Sequence, residues 1–227
     1  MKKKVMTLLT EVEKYVTGIL EDTESKGFTY HNLKHTHEVA EVAALIGKNS
    51  HLTPEEIEIV KLAAWFHDVG YTVNYHDHET ESIRIAKEFL ASCEAGDKVI
   101  QAVIHCIEAT KMPHSPHNIL EEIVCDADMF HLSHKDCLET SLMLRTERNS
   151  HQPQKINVYT FMLETLELLK LPYFTAYAQW HWGKGKEINR NLLEEMLSVM
   201  SQDKNRKIPS RDASQQESSG NFDVPGR

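Results

Sequence analysis

From Val5 to Leu20, the apolar residues Val5, Leu8, Leu9, Val12, Val16, Ile19 and Leu20 recur at spacings of three and four. That period lines one face of an α-helix. No segment of convincing length alternates with the period of two that a half-buried strand requires. The chain is therefore constrained to bury its core between helices. A second helix is predicted from Asn32 to Gly47, with Leu33, Val39, Val42, Ala43 and Ile46 inward. In LTPEE, Thr53 reads as an N-cap, Pro54 as the first helical residue, and Glu55 and Glu56 as first-turn acids that complement the helix dipole. This third helix is expected to end near Val69, with Gly70 as its C-terminal cap. Further helices are predicted over His78–Ala91 and Gly96–Ala109. KMPHSPHN, with its two prolines, reads as a loop. Helices resume at Ile119, break at Asn149–Pro153, run from Ile156 to Lys170 and restart after Pro172.

The fold class is all-α, a single globular helical bundle over residues 1–200. From Ser201 onward the sequence is polar, rich in Ser and Gln, and nearly free of large apolar residues, so 201–227 is predicted to be a disordered tail.

With 41% hydrophobic residues, the chain has enough apolar surface for a substantial core. A formal charge of −9 argues against a nucleic-acid partner, which would call for a concentrated Lys/Arg surface. The basic run Lys2–Lys4 reads as a solvated start. MKKKVMTLLTEVEKYV superficially resembles a signal peptide, but Glu11 and Glu13 interrupt its apolar run too early. No segment approaches the length of a membrane span, so no membrane partner is expected. Cys93, Cys106, Cys125 and Cys137 form no CxxC pair and read as reduced, mostly buried thiols of a cytoplasmic protein.

The 14 histidines are the unusual count, and their positions decide their meaning. In AAWFHDVGY (63–71), a mostly apolar segment ends in His67 and Asp68. Helix neighbours point about 100° apart, so the two can share one ion only beyond the end or flank of a helix. In YHNLKHTHEV (30–39), His31 and His35 stand four apart and can share a helix face. In VCDADMFHL (124–132), Asp126 and Asp128 interrupt an apolar segment, and buried carboxylates need a partner. Read singly, each has a plain explanation: a histidine at a helix C-terminus, a surface pair, an N-capping Asp128. Taken together, they make a nitrogen and oxygen donor set suited to Zn, Mn, Fe, Co or Ni.

The combination H…HD…D, with YHNxxHxxxV in front and DAD behind, resembles the HD superfamily of metal-dependent phosphohydrolases over roughly residues 28–135. The resemblance implies an all-helical domain with His35, His67, Asp68 and Asp128 as metal ligands, and Asp126 as a support for those ligands or a substrate contact. His31 matches the tyrosine-histidine-asparagine element of cyclic nucleotide phosphodiesterases, whose histidine protonates the leaving oxygen. The dinuclear branch of the superfamily carries two extra histidines between the HD doublet and the last Asp. Here His78 and His105 stand in those places, and His76 is an alternative to His78. HDVGY continues as TVNYHDHE, without the glycine-tyrosine-proline signature of the cyclic-dinucleotide branch.

Lys111 and Arg145 are the expected phosphate contacts, since they flank the inferred ligands; Lys34 and Arg148 are the other cations near them. His114, His117, His131, His134, His151 and His181 match nothing in the pattern and read as loop or surface residues. The aromatic residues of YTFMLETLELL and YFTAYAQWHW have core spacing.

The expected activity is hydrolysis of a nucleotide or related small phosphate ester, with one or two divalent ions activating a water and Asp68 and His31 as catalytic groups. The alternatives are a cyclic nucleotide phosphodiesterase, a di-iron oxygenase on the same ligands, and a non-catalytic nucleotide sensor.

Overall fold

The computed structural model describes residues 2–23 and 26–206. Among them are nine α-helices and no strand: α1 (Lys2–Leu20), α2 (Leu33–Asn49), α3 (Pro54–Phe66), α4 (His78–Ser92), α5 (Asp97–Ala109), α6 (Ile119–Asp128), α7 (Cys137–His151), α8 (Val158–Lys170) and α9 (Ala176–Arg206). Two short 3-10 turns, Val69–Thr72 and Met129–Ser133, follow α3 and α6.

Local chemistry sets the helix starts. The Asn32 side chain accepts from the backbone N–H groups of Lys34 and His35 and opens α2. Thr53 and Glu56 form a reciprocal capping box in front of α3, with Pro54 at its start. Asn118 caps α6 by accepting from the backbone N–H groups of Leu120 and Glu121, and Asn157 caps α8 by accepting from that of Thr160. Each cap satisfies donors that the first helical turn leaves open.

Helices α1–α6 enclose the main core, in which Ile46, Leu62, Phe66, Leu90, Ile107 and Ile123 are fully buried or nearly so. A second cluster, built on Leu132, Cys137, Met162, Leu166, Leu169, Leu193 and Leu197, joins α7, α8 and α9 to the second 3-10 turn. Gly185 lets α9 lie against that turn, because a Cβ there would come within 2.4 Å of the Ser133 carbonyl oxygen. Buried Asn189 fastens the contact by donating to the carbonyls of Leu132 and His134.

Two boundaries differ from the sequence reading. Helix α3 stops at Phe66, and Gly70 lies inside the following 3-10 turn instead of capping α3. Glycine is needed there for close approach: a Cβ would meet the His78 carbonyl oxygen at 2.0 Å and the Ser82 nitrogen at 2.6 Å. The Gly70 N–H also donates to Ser82 Oγ at 2.8 Å. The first turn of α4 is thereby drawn against the segment that carries Asp68. Helix α9 runs to Arg206, past the Ser201 boundary expected for the tail, and residues 207–227 lie outside the described residues.

Three of the four cysteines are buried, Cys93 is partly exposed, and all four are free thiols. No described helix is long and apolar enough to cross a membrane.

Candidate metal centre

Four side chains from three regions converge on one point. His35 comes from the first turn of α2, His67 and Asp68 from the end of α3, and Asp128 from the last residue of α6. One donor atom from each lies within 4.8 Å of all the others. Asp68 Oδ2 is 3.3 Å from His35 Nε2 and 3.0 Å from His67 Nε2. Asp128 Oδ1 is 3.3 Å from His35 Nε2 and 3.5 Å from His67 Nε2. Asp128 makes no capping hydrogen bond to the turn that follows it, so its carboxylate is left for the centre.

The donor set fits a cation. His67 Nδ1 is 2.7 Å from the Ala64 carbonyl oxygen. A carbonyl only accepts, so Nδ1 carries the proton and the Nε2 lone pair faces the centre. Despite their closeness, His35 Nε2, His67 Nε2 and Asp68 Oδ2 are buried without a hydrogen-bond partner. Buried polar atoms without partners are costly, and a divalent ion would satisfy all of them. Burial alone would lower the pKa of His35 and His67, but Asp68 and Asp128 outweigh it and raise both. Burial would raise the two carboxyls, yet the facing imidazoles hold both below the ordinary carboxylate range.

His31 stands beside this centre, with Nε2 3.9 Å from Asp68 Oδ2. Its Nδ1 is hydrogen-bonded to Glu147 of α7. Glu147 is fully buried and also accepts from the backbone N–H groups of Tyr30 at 2.7 Å and His31 at 3.0 Å. The Tyr75 hydroxyl donates to the same carboxylate at 3.4 Å. Burial would raise the Glu147 carboxyl, but the hydrogen bond and charge of His31, with the two N–H donors, hold it below its ordinary value. A carboxylate accepting at Nδ1 fixes the His31 tautomer and aims Nε2 at the centre.

His78 reaches the edge of the site, with Nε2 3.5 Å from Asp68 Oδ1. Burial lowers its pKa. The Tyr71 ring is stacked between His31 and His78, with centroids 4.0 Å and 3.7 Å away. Beyond these rings opens a cavity of about 330 Å³, whose walls include Tyr75, Met112, Arg148, Phe161 and Glu164. That volume is at the lower end of the range for small-molecule sites.

Four of the expected site residues are placed elsewhere. His105 is exposed on α5 and lines a different surface pocket with Asp97, Lys98 and Gln101. Val103, Cys106 and Ile107 form the buried face of that helix, and His105 is turned off it. Asp126 accepts from the backbone N–H groups of Phe174 and Thr175 and from the Thr175 hydroxyl, each at 2.8 Å. It anchors the start of α9, and its carboxylate is committed there. Arg145 donates through Nε to the Ile156 carbonyl. Arg148, one helical turn further, is the arginine that lines the cavity. Lys111 is exposed and pairs with Asp77 at 3.4 Å.

Two groups escaped the sequence reading. Glu147 carries no motif, and only its burial reveals it. His131 is half-buried, lines the cavity and meets the Tyr30 hydroxyl through Nδ1 at 2.9 Å. Burial pulls its pKa down to about 4, so it is neutral at physiological pH.

An all-helical domain that gathers two histidines and two aspartates at one buried point presents a possible metal site. Residues 32–133 match the family model of the HD domain. No curated protein matches the sequence. Three solved structures share the fold. A protein from Lactobacillus plantarum superposes with a TM-score of 0.64 at 16% identity, covering 88% of this chain and 98% of its own. Bacillus subtilis YpgQ, solved in complex with ADP, gives 0.58 at 24% identity, covering 92% and 100%. A protein described as a predicted HD superfamily hydrolase, from an uncultured Thermotogales bacterium, gives 0.54 at 17% identity, covering 86% and 91%.

Proposed function

We propose that this protein is a metal-dependent phosphohydrolase acting on a nucleotide or a related small phosphate ester. The observation that carries the reading is the convergence of His35, His67, Asp68 and Asp128 on one point, beside a cavity entered past His31 and His78. The ADP bound to YpgQ supports a nucleotide as the substrate class. The four groups would hold the divalent ion, which when bound supplies Lewis-acid activation of water and of the phosphoryl oxygens.

The chain's own residues supply the rest. Asp68 presents Oδ2 to the ligand cluster and Oδ1 to His78, so it spans the metal point and the cavity side. His31 holds a proton at Nε2 for the departing oxygen, and Glu147 stabilises the imidazolium that carries it. Arg148, at the cavity wall, provides the planar fork suited to an anionic oxygen pair. In the free protein it is held by Glu164 at 2.6 Å, a partly exposed pair that an incoming phosphate could displace. Tyr71, packed between His31 and His78, keeps both rings upright at the entrance.

One ion per chain is favoured over two, since His105 is remote from the centre and no second cluster of ligands accompanies His78 among the described residues. The full set of four ligand groups favours an enzyme over a nucleotide sensor.

The test is a phosphoester and nucleotide screen with Mn, Fe, Co, Ni, Zn or Mg supplied in turn, run on wild type and Asp68→Ala. Metal-dependent release of phosphate or of a nucleoside, lost in the variant, supports the proposal. Equal turnover in both proteins, or none with any metal, would refute it.

A further inference from the structure

Lys186 of α9 faces inward. It is only 5% exposed, and it makes no ion pair or hydrogen bond among the described residues. Its Nζ lies over the Tyr173 ring, 4.6 Å from the centroid. A cation–π contact of this kind is worth about 1–2 kcal/mol, well short of what a buried ammonium loses on leaving water. Burial accordingly pulls the Lys186 amine down to about 8, against the opposing field of Asp126. Asp126 cannot come closer, because Phe174 and Thr175 hold both its oxygens.

Lys186 lines a cavity of about 190 Å³ between the end of α8 and the middle of α9. Lys170, Gln179, Glu187 and Arg190 surround it. Lys170 is engaged by Glu167 at 2.7 Å, and Arg190 is loosely met by Glu187 at 3.7 Å. Both pairs are exposed and contribute little. Three cations thus border the cavity, and Glu187 is the one carboxylate among its lining residues. Its volume is below the range of sites for drug-sized molecules, yet equals several waters at about 30 Å³ each. The size admits a tetrahedral anion.

We propose that this cavity binds a small oxyanion of the size and charge of inorganic phosphate, seated on the Lys186 ammonium and flanked by Arg190. The anion supplies the counter-charge that the fold withholds from Lys186, while the Tyr173 ring closes the opposite side. The site is separate from the metal centre and does not rest on the chain's being a hydrolase.

Inorganic phosphate is the probe, titrated calorimetrically into the full-length chain. The Asp68→Ala background suppresses phosphate binding at the metal centre. One phosphate is expected to bind to the Asp68→Ala protein. Adding Lys186→Gln should weaken it by about tenfold or more, the loss of roughly 1.4 kcal/mol. Adding Arg190→Gln, at a partly exposed position that does not threaten the core, should weaken it severalfold. No binding to the Asp68→Ala protein up to about 10 mM phosphate, weaker than ordinary specific sites, overturns the proposal. So does an affinity that Lys186→Gln leaves unchanged. Should the lysine variant fail to fold, an unchanged affinity in Arg190→Gln overturns it equally.

Discussion

Glu147 grips His31 by both its backbone and its ring. One carboxylate accepts the His31 N–H and the imidazole Nδ1, from a position fully shielded from water and 116 residues away in sequence. Such a contact sets the tautomer, the ring orientation and the basicity of the histidine together. Glu147→Gln keeps the shape but loses the charge. Its kcat is expected to fall by about 10- to 100-fold, the usual cost of losing a carboxylate behind a functional histidine. Metal content should stay at the wild-type level, since Glu147 touches none of the four ligands. Steady-state kinetics and elemental analysis on the same preparation separate the two effects.

The same carboxylate gives a pH signature in stability. Its pKa is depressed in the folded state. Its contribution is therefore present above the unfolded value of about 4.3 and lost as the pH falls through the folded one. Denaturant titrations of wild type and Glu147→Gln should show a gap that narrows as the pH falls below about 4.

Protons compete with metal for His35 and His67, whose pKa values the two aspartates raise. A ligand imidazole must be neutral to bind an ion. Metal binding should therefore release protons near neutral pH, and apparent affinity should climb as the pH rises through the raised histidine values. Calorimetry in buffers of different ionisation enthalpy measures the release directly.

Asp126 is a structural residue. Asp126→Ala leaves two backbone N–H groups and the Thr175 hydroxyl without their acceptor. A loss of about 2–4 kcal/mol of stability is expected, at about 1–3 kcal/mol per buried group left unsatisfied and with part regained by relaxation. KM for the substrate should not change. Urea unfolding and KM read the two quantities.

These outcomes also mark what the sequence carried and what it withheld. The convergence of His35, His67, Asp68 and Asp128 was legible because one short motif at each helix end places a donor group, whatever lies between. The helices themselves were legible from apolar period and caps, as at Thr53 and Pro54. Gly70 was misread because a glycine after a helix signals a cap, while here it admits the backbone of α4. His105 had the right separation from His78, yet separation says nothing of direction, and α5 turns that ring to solvent. Arg145 and Arg148 differ by one turn of α7, and their facing depends on how α7 packs, which its weakly amphipathic sequence does not reveal. Glu147 stands next to Arg148 in an unremarkable polar stretch. Only the long-range contact to Tyr30 and His31 shows that it is buried.

The most direct test of the central claim is the metal content per chain of wild type, Asp68→Ala, Asp128→Ala and His105→Ala, measured after reconstitution and gel filtration. About one divalent ion is expected in wild type and in His105→Ala, and a loss of most of it in both aspartate variants. Metal retained at the wild-type level in the two aspartate variants, or none bound by wild type, would contradict a centre built from His35, His67, Asp68 and Asp128.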